Sequence, residues 1–296
     1  MNDFQNHPLA GAVDLDSAMT KLWAFYRKYF VGMYIISVVL ALLTSLVSAG
    51  IDTTAIQTVT DPEEMLQIMK GMAGPYALVL LISLVFGVIL HAWVLDKPLG
   101  EPGFAATLLK KSAFALIPYL LVMIVLMTIG MIMTAFGLVL LVVPGIFALF
   151  YIATVTMFAL PLTLAESHNP AHVLSGSFTL AHRNLWPNMG WVIVVMLIIL
   201  VVSLVIGAIL MVPFTGTFLK SINNPEEATT LLEISRNPAY IILSALATSL
   251  VTPVFPILAF ILYFRNRYAE VQQEAAPDRE ESLKVEDLYP KTPDKE

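Results

Sequence analysis

Six long apolar runs alternate with short polar stretches along this chain, and charged residues are kept out of the middle of every run. The longest charge-free stretch extends from Ser112 to Ala165. A hydrocarbon layer about 30 Å thick is crossed by roughly 20 helical residues, so this stretch predicts two spans joined by a tight turn. The pattern places spans near 30–49, 76–95, 114–134, 146–165, 188–212 and 239–263. Backbone amides find no water in hydrocarbon, which requires each run to be a helix. The alternation of a membrane barrel strand is nowhere visible. The fold class read from the pattern is all-α, a polytopic helical membrane protein with six transmembrane helices.

A finer pattern precedes spans one, three and five. Arg27-Lys28 leads into Tyr29, Lys110-Lys111 into Phe114, and His182-Arg183 into Trp186. Leu15, Met19, Leu22 and Tyr26 share one helical face, as do Leu174, Phe178, Ala181 and Leu185. An apolar stripe with a basic end describes a helix lying in the headgroup layer. The expected architecture is three hairpins of spans, each preceded by an interfacial amphipathic helix. Residues 14–268 form this membrane domain, 1–13 a flexible N-terminus and 269–296 a disordered acidic tail. Arg27, Lys28, Lys110, Lys111 and Arg183 become candidate contacts for lipid headgroups, each worth roughly 1 kcal/mol near an anionic surface.

Composition agrees. Hydrophobic residues make up 58% of the chain and charged ones 13%, with a mean hydropathy of +0.80. Soluble domains carry about 25% charged residues. The net charge of −6 is concentrated in the tail, where Glu270 to Glu296 holds nine acids against four bases. No basic stripe offers phosphate neutralisation, which argues against nucleic acid as a partner. The absence of cysteine excludes disulfides and thiolate chemistry.

Basic residues also orient the chain. With the N-terminus inside, Lys21, Arg27, Lys28, Lys97, Lys110, Lys111, Arg183, Arg265 and Arg267 are cytoplasmic, against Lys70, Lys220 and Arg236 outside. Nine against three predicts that both termini are cytoplasmic. The opening residues lack the basic start and apolar run of a cleavable signal peptide, so the first span is expected to act as an uncleaved anchor. The outer loops contain two short helix candidates, DPEEMLQIMKGM and NPEEATTLLEI, each with Pro at its first turn.

Ionisable groups within membranes usually mark ion or proton pathways. Here they are scarce: His91 and Glu166 fall near the cytoplasmic ends of spans two and four, within expected reach of headgroups. Glu166, His168, His172 and His182 are close in sequence, but Pro170 separates the first two histidines and opens a helix. That spacing predicts no metal site. No phosphate loop or nucleophile motif is present, so no catalytic residue and no cofactor is expected. Pro253 and Pro256 interrupt span six and predict a helix break whose freed carbonyls need protein or a wet cavity. Pro161 is a second candidate weak point, while the methionines of span three fit an irregularly packed core.

The segment from Pro144 to Ile193 carries a further pattern. Pro144-Gly145 opens a span, Pro161 and Glu166 follow, and Ala171, Ser175 and Leu180 lead to Asn184 and the next span. This resembles the YciC-type bacterial inner-membrane proteins and the membrane domain of some glycerophosphodiester phosphodiesterases. The closing ILYFRNRYAE, with Tyr263 and Arg267, looks similar to the ends of those domains. The resemblance implies a six-span module of the bacterial inner membrane without catalysis of its own. It also singles out Glu166, Ser175 and Asn184 as a cytoplasmic-face cluster. Two functions fit: a membrane organiser that binds lipids, a second copy or another membrane protein, and a transporter component for an apolar or amphipathic solute. A polar-lined cavity beside span six would favour the transporter.

Overall fold

The computed structural model describes residues 6–11, 14–51, 59, 61–100, 104–216 and 237–275. Their α-helices are α1 Leu15–Ala49, α2 Pro62–Asp96, α3 Phe104–Leu140, α4 Val142–Ala165, α5 Pro170–Arg183, α6 Leu185–Met211, α7 Pro238–Thr248 and α8 Val254–Ala275, all but the amphipathic α5 built on the apolar runs. Side-chain oxygens satisfy the free amides at several starts. Asp14 accepts from Ser17 N, Asp61 from Glu63 N, Asn169 from Ala171 N and Asn237 from Ala239 N. Pro62, Pro170 and Pro238 follow three of these caps, where a missing amide costs nothing. The loop helix expected at DPEEMLQIMKGM is thus the first part of α2, while NPEEATTLLEI and the tail from 276 lie outside the described residues.

Among the described residues five helices, α1 to α4 and α6, are long and apolar enough to cross a membrane. The sixth predicted span is divided, with α7 only 11 residues long before the chain turns and α8 begins. The stretches predicted as interfacial helices differ from one another: α5 is a separate helix, the stretch before span one meets the rest of α1 at a kink where Tyr29 is non-helical (φ −114°, ψ 16°), and that before span three continues unbroken into α3. No residue between Lys111 and Phe114 breaks helical geometry, so the apolar run simply extends the helix already begun.

The charge-free stretch does fold back on itself. Leu141 alone separates α3 from α4, with extended φ −165° and ψ 154°. A Cβ on Gly137 would stand 2.7 Å from Gly145 Cα, and one on Gly145 would stand 2.6 Å from the Leu138 side chain. These two glycines let the helices meet at the turn. This is the physical content of Pro144-Gly145: proline is tolerated in a first turn, and glycine admits the neighbouring backbone. Pro161, by contrast, stays within an unbroken, buried stretch of α4.

One core joins Phe25 and Met33 of α1, Val88 of α2, Leu126 of α3, Phe158 of α4, Leu180 of α5, Val192 of α6 and Phe260 of α8. Leu9, within the predicted flexible terminus, is fully buried in it. Large apolar side chains on α3 and α6 face outward, Val139 being 85% exposed. Such surfaces suit hydrocarbon, as expected of an integral membrane protein.

Candidate functional site

Polar side chains gather where α4 ends, α5 begins and α8 passes between them. Tyr263 donates to Glu166 Oε1 at 2.6 Å, and Arg267 forks onto the same carboxylate, Nε to Oε1 at 2.7 Å and Nη2 to Oε2 at 2.5 Å. His172 Nε2 stands 3.8 Å from Oε2. The planar guanidinium meets both oxygens at once, which fixes α8 in direction as well as position. Deeper in, Asn184 donates to Asn266 Oδ1, Asn266 donates to Asn188 Oδ1, and Asn188 donates to Leu180 O. Asn188 and Asn266 are fully buried, so these bonds satisfy groups that would otherwise be costly to bury.

The same end of the bundle holds two further ties. Lys111 Nζ and Asp96 Oδ1 pair at 2.7 Å between α3 and α2, while Asp96 Oδ2 has no partner among the described residues. His7 Nε2 donates to Val94 O at 3.2 Å, and its Nδ1 accepts from Leu9 N at 3.2 Å. Those roles require the neutral ring. Burial lowers the pKa of His7 from 6.5 to about 4, against the partial support of backbone acceptors.

The break before α8 has its own chemistry. Leu250 N turns back to Ala247 O and Val254 N to Val251 O, so the carbonyls of Leu246 and Leu250 lose their helical partners. Tyr34 donates to Leu246 O at 3.2 Å and Tyr26 to Leu250 O at 2.7 Å. Pro253 lies in this turn and Pro256 in the first turn of α8, and α1 hydroxyls take up two of the freed carbonyls. Protein supplies this satisfaction, as hydrocarbon cannot.

Beside this joint lies a chamber of about 800 Å³, open along one side of the bundle, between α3 and α4 and touching α2, α6 and α8. Met127, Met131, Met157 and Met196 wall it, Phe255 brings the joint to its edge, and Gly130 keeps one wall thin. His91 and Tyr119 supply polar atoms. His91 Nδ1 donates to Gly87 O at 2.8 Å within its own helix. His91 thus lines the apolar chamber.

The sequence-derived candidates separate into three sets. Glu166 and Asn184 belong to the polar cluster, but Ser175 bonds only to His172 O of its own helix and is exposed. Arg27 and Lys28 are exposed, with Lys28 Nζ 5.2 Å from the Tyr29 ring, and Arg183 is half-buried at the end of α5. Lys110 is exposed, whereas Lys111 is committed to Asp96. His182 turns to Tyr151 and Phe178 O, away from Glu166 and His172. Comparisons of the chain with family models, curated proteins and solved structures yield no match.

Proposed function

We propose that this protein is a YciC-type module of the bacterial inner membrane that binds lipid and acts without a catalytic step of its own. In this reading α7 and α8 together make the sixth crossing, and both termini are cytoplasmic. The polar cluster then sits at the cytoplasmic surface, which agrees with the basic residues at that end. The observation that carries the proposal is the chamber: about 800 Å³, walled by methionine and aliphatic side chains, within the apolar part of the bundle. Pockets of this size hold small ligands, and flexible thioethers adapt to an apolar chain. A second reading, passage of an apolar solute, draws on the contact between the chamber and the joint at Phe255. The apolar wall argues for holding a chain over conducting a polar solute.

The test is Ala153→Phe, which puts a ring into the chamber from a lining position. Purified wild type and variant are compared by native mass spectrometry after release from lipid nanodiscs. The variant is expected to lose one tightly held lipid while keeping its thermal stability in detergent. Identical lipid retention would sink the proposal.

A further inference from the structure

A second cavity, about 560 Å³, opens at the basic end of α3 and is lined by Thr107, Lys110, Lys111, Phe114 and His168. Thr107, Lys110, Lys111 and Phe114 share one helical face, while Leu126, Gly130 and Thr134 of the chamber lie on the other side of α3. From this pocket we infer a site for the phosphate of an anionic phospholipid, with Lys110, His168 and Thr107 as its polar ligands.

Charge and donors support this. Lys110, His168 and Thr107 have no hydrogen-bond partner among the described residues. Lys111 gives one ammonium hydrogen to Asp96 and holds its position, leaving two donors. Lys110 therefore supplies the unbalanced charge, and the hydroxyl and imidazole supply directed contacts to phosphate oxygens. Chain length supports it too. Below the pocket Phe114 is 64% exposed, Ile117 66% and Leu121 48%, and Val125 continues the stripe. At 1.5 Å per residue, Phe114 to Val125 covers about 16 Å, the depth of one leaflet of a 30 Å hydrocarbon layer. A basic head above an apolar bed of one-leaflet depth fits a phospholipid better than a free anion. This inference rests on the membrane-spanning fold but not on the chamber.

The experiment reconstitutes the full chain in nanodiscs of phosphatidylcholine with a minority of phosphatidylglycerol, and counts retained phosphatidylglycerol by native mass spectrometry. Lys110→Ala is expected to cut its retention about fivefold, the factor that corresponds to one charge at a surface, and His168→Ala to cut it by less, as the loss of one directed contact. Lys110→Arg should retain it, and Ile117→Gln should weaken it. Ala153→Phe should leave it untouched, so failure of the chamber and failure of this site read separately. Unchanged retention in the Lys110→Ala, His168→Ala double variant overturns the inference. Displacement by inorganic phosphate, with no effect of Ile117→Gln, also overturns it and assigns the pocket to a free anion. Lys110, His168 and Ile117 are all exposed, so these substitutions leave the core intact.

Discussion

At the basic end of the bundle, Glu166, Asn188, Asn266 and His7 each tie together segments far apart in the chain, and Asp96 ties α2 to α3. In the far halves of α3 and α4 the helices meet through Gly137 and Gly145 at the turn and Gly130 against Ile152, and large side chains there and on α6 face outward. Hydrocarbon gives no hydrophobic drive for helices to associate, so close packing and polar bonds must do it. Here the polar bonds are concentrated at one end. That end fixes the arrangement of the helices, and the other is free to open a chamber beside the joint.

The largest expected effect comes from breaking a tie at the fixed end. Lys111→Met leaves the Asp96 carboxylate buried without a counter-charge, at a cost of about 3–5 kcal/mol. Thermal unfolding in detergent should show this loss, and adding Asp96→Asn should recover most of it. Leu204→Ala, at an outward position on α6, should change stability by under about 0.5 kcal/mol. Equal losses from Lys111→Met and Leu204→Ala would erase the contrast between the two ends.

Acid should loosen the same end. His7 is neutral when docked, with its pKa lowered to about 4, and returns to 6.5 when released. The released form binds the proton more readily, so docking is complete above pH 6.5 and is lost as pH falls toward 4. At pH 5 the loss is about 2 kcal/mol by linkage. Hydrogen exchange at Leu9 and Ala10 should rise between pH 7 and pH 5, after correction for intrinsic rates. His7→Leu should remove that dependence; a rise that persists in it would assign the effect elsewhere.

Much of this was legible in the chain, and the rest was hidden for physical reasons. The charge-free stretch from Ser112 to Ala165 announced the α3–α4 hairpin because length and charge alone decide that a run must cross twice. The start of α8 at Val254 was legible in Pro253 and Pro256, since proline acts locally. Glu166 and Asn184 came from a family pattern, but Tyr263 and Arg267, about a hundred residues on, could not be paired with Glu166 from spacing. Asn188 and Asn266 were missed although each is a polar residue facing inward near a span end. Their signal was the amide itself, since an unpartnered amide at such a position is costly. Ser175 makes no bond to the Glu166 or Asn184 groups because its helix turns it outward. His7 and Leu9 gave no periodic signal, as six residues without regular structure carry none.

The smallest effect tests the joint, where the fixed end meets the open one. Tyr26 and Tyr34 both lie on α1, and each donates to a carbonyl that the turn before α8 has released. Tyr26→Phe keeps the ring and removes only the hydroxyl, so Leu250 O is left without its donor. The expected cost is about 1 kcal/mol, the usual net value of one such bond. Tyr34→Phe should cost less, because its bond is longer. If the joint governs the chamber through Phe255, Tyr26→Phe should also quicken lipid exchange in nanodiscs while leaving the Glu166–Arg267 fork intact. A stability loss without faster exchange would make the tyrosines structural braces only, and would separate the joint from the chamber it borders.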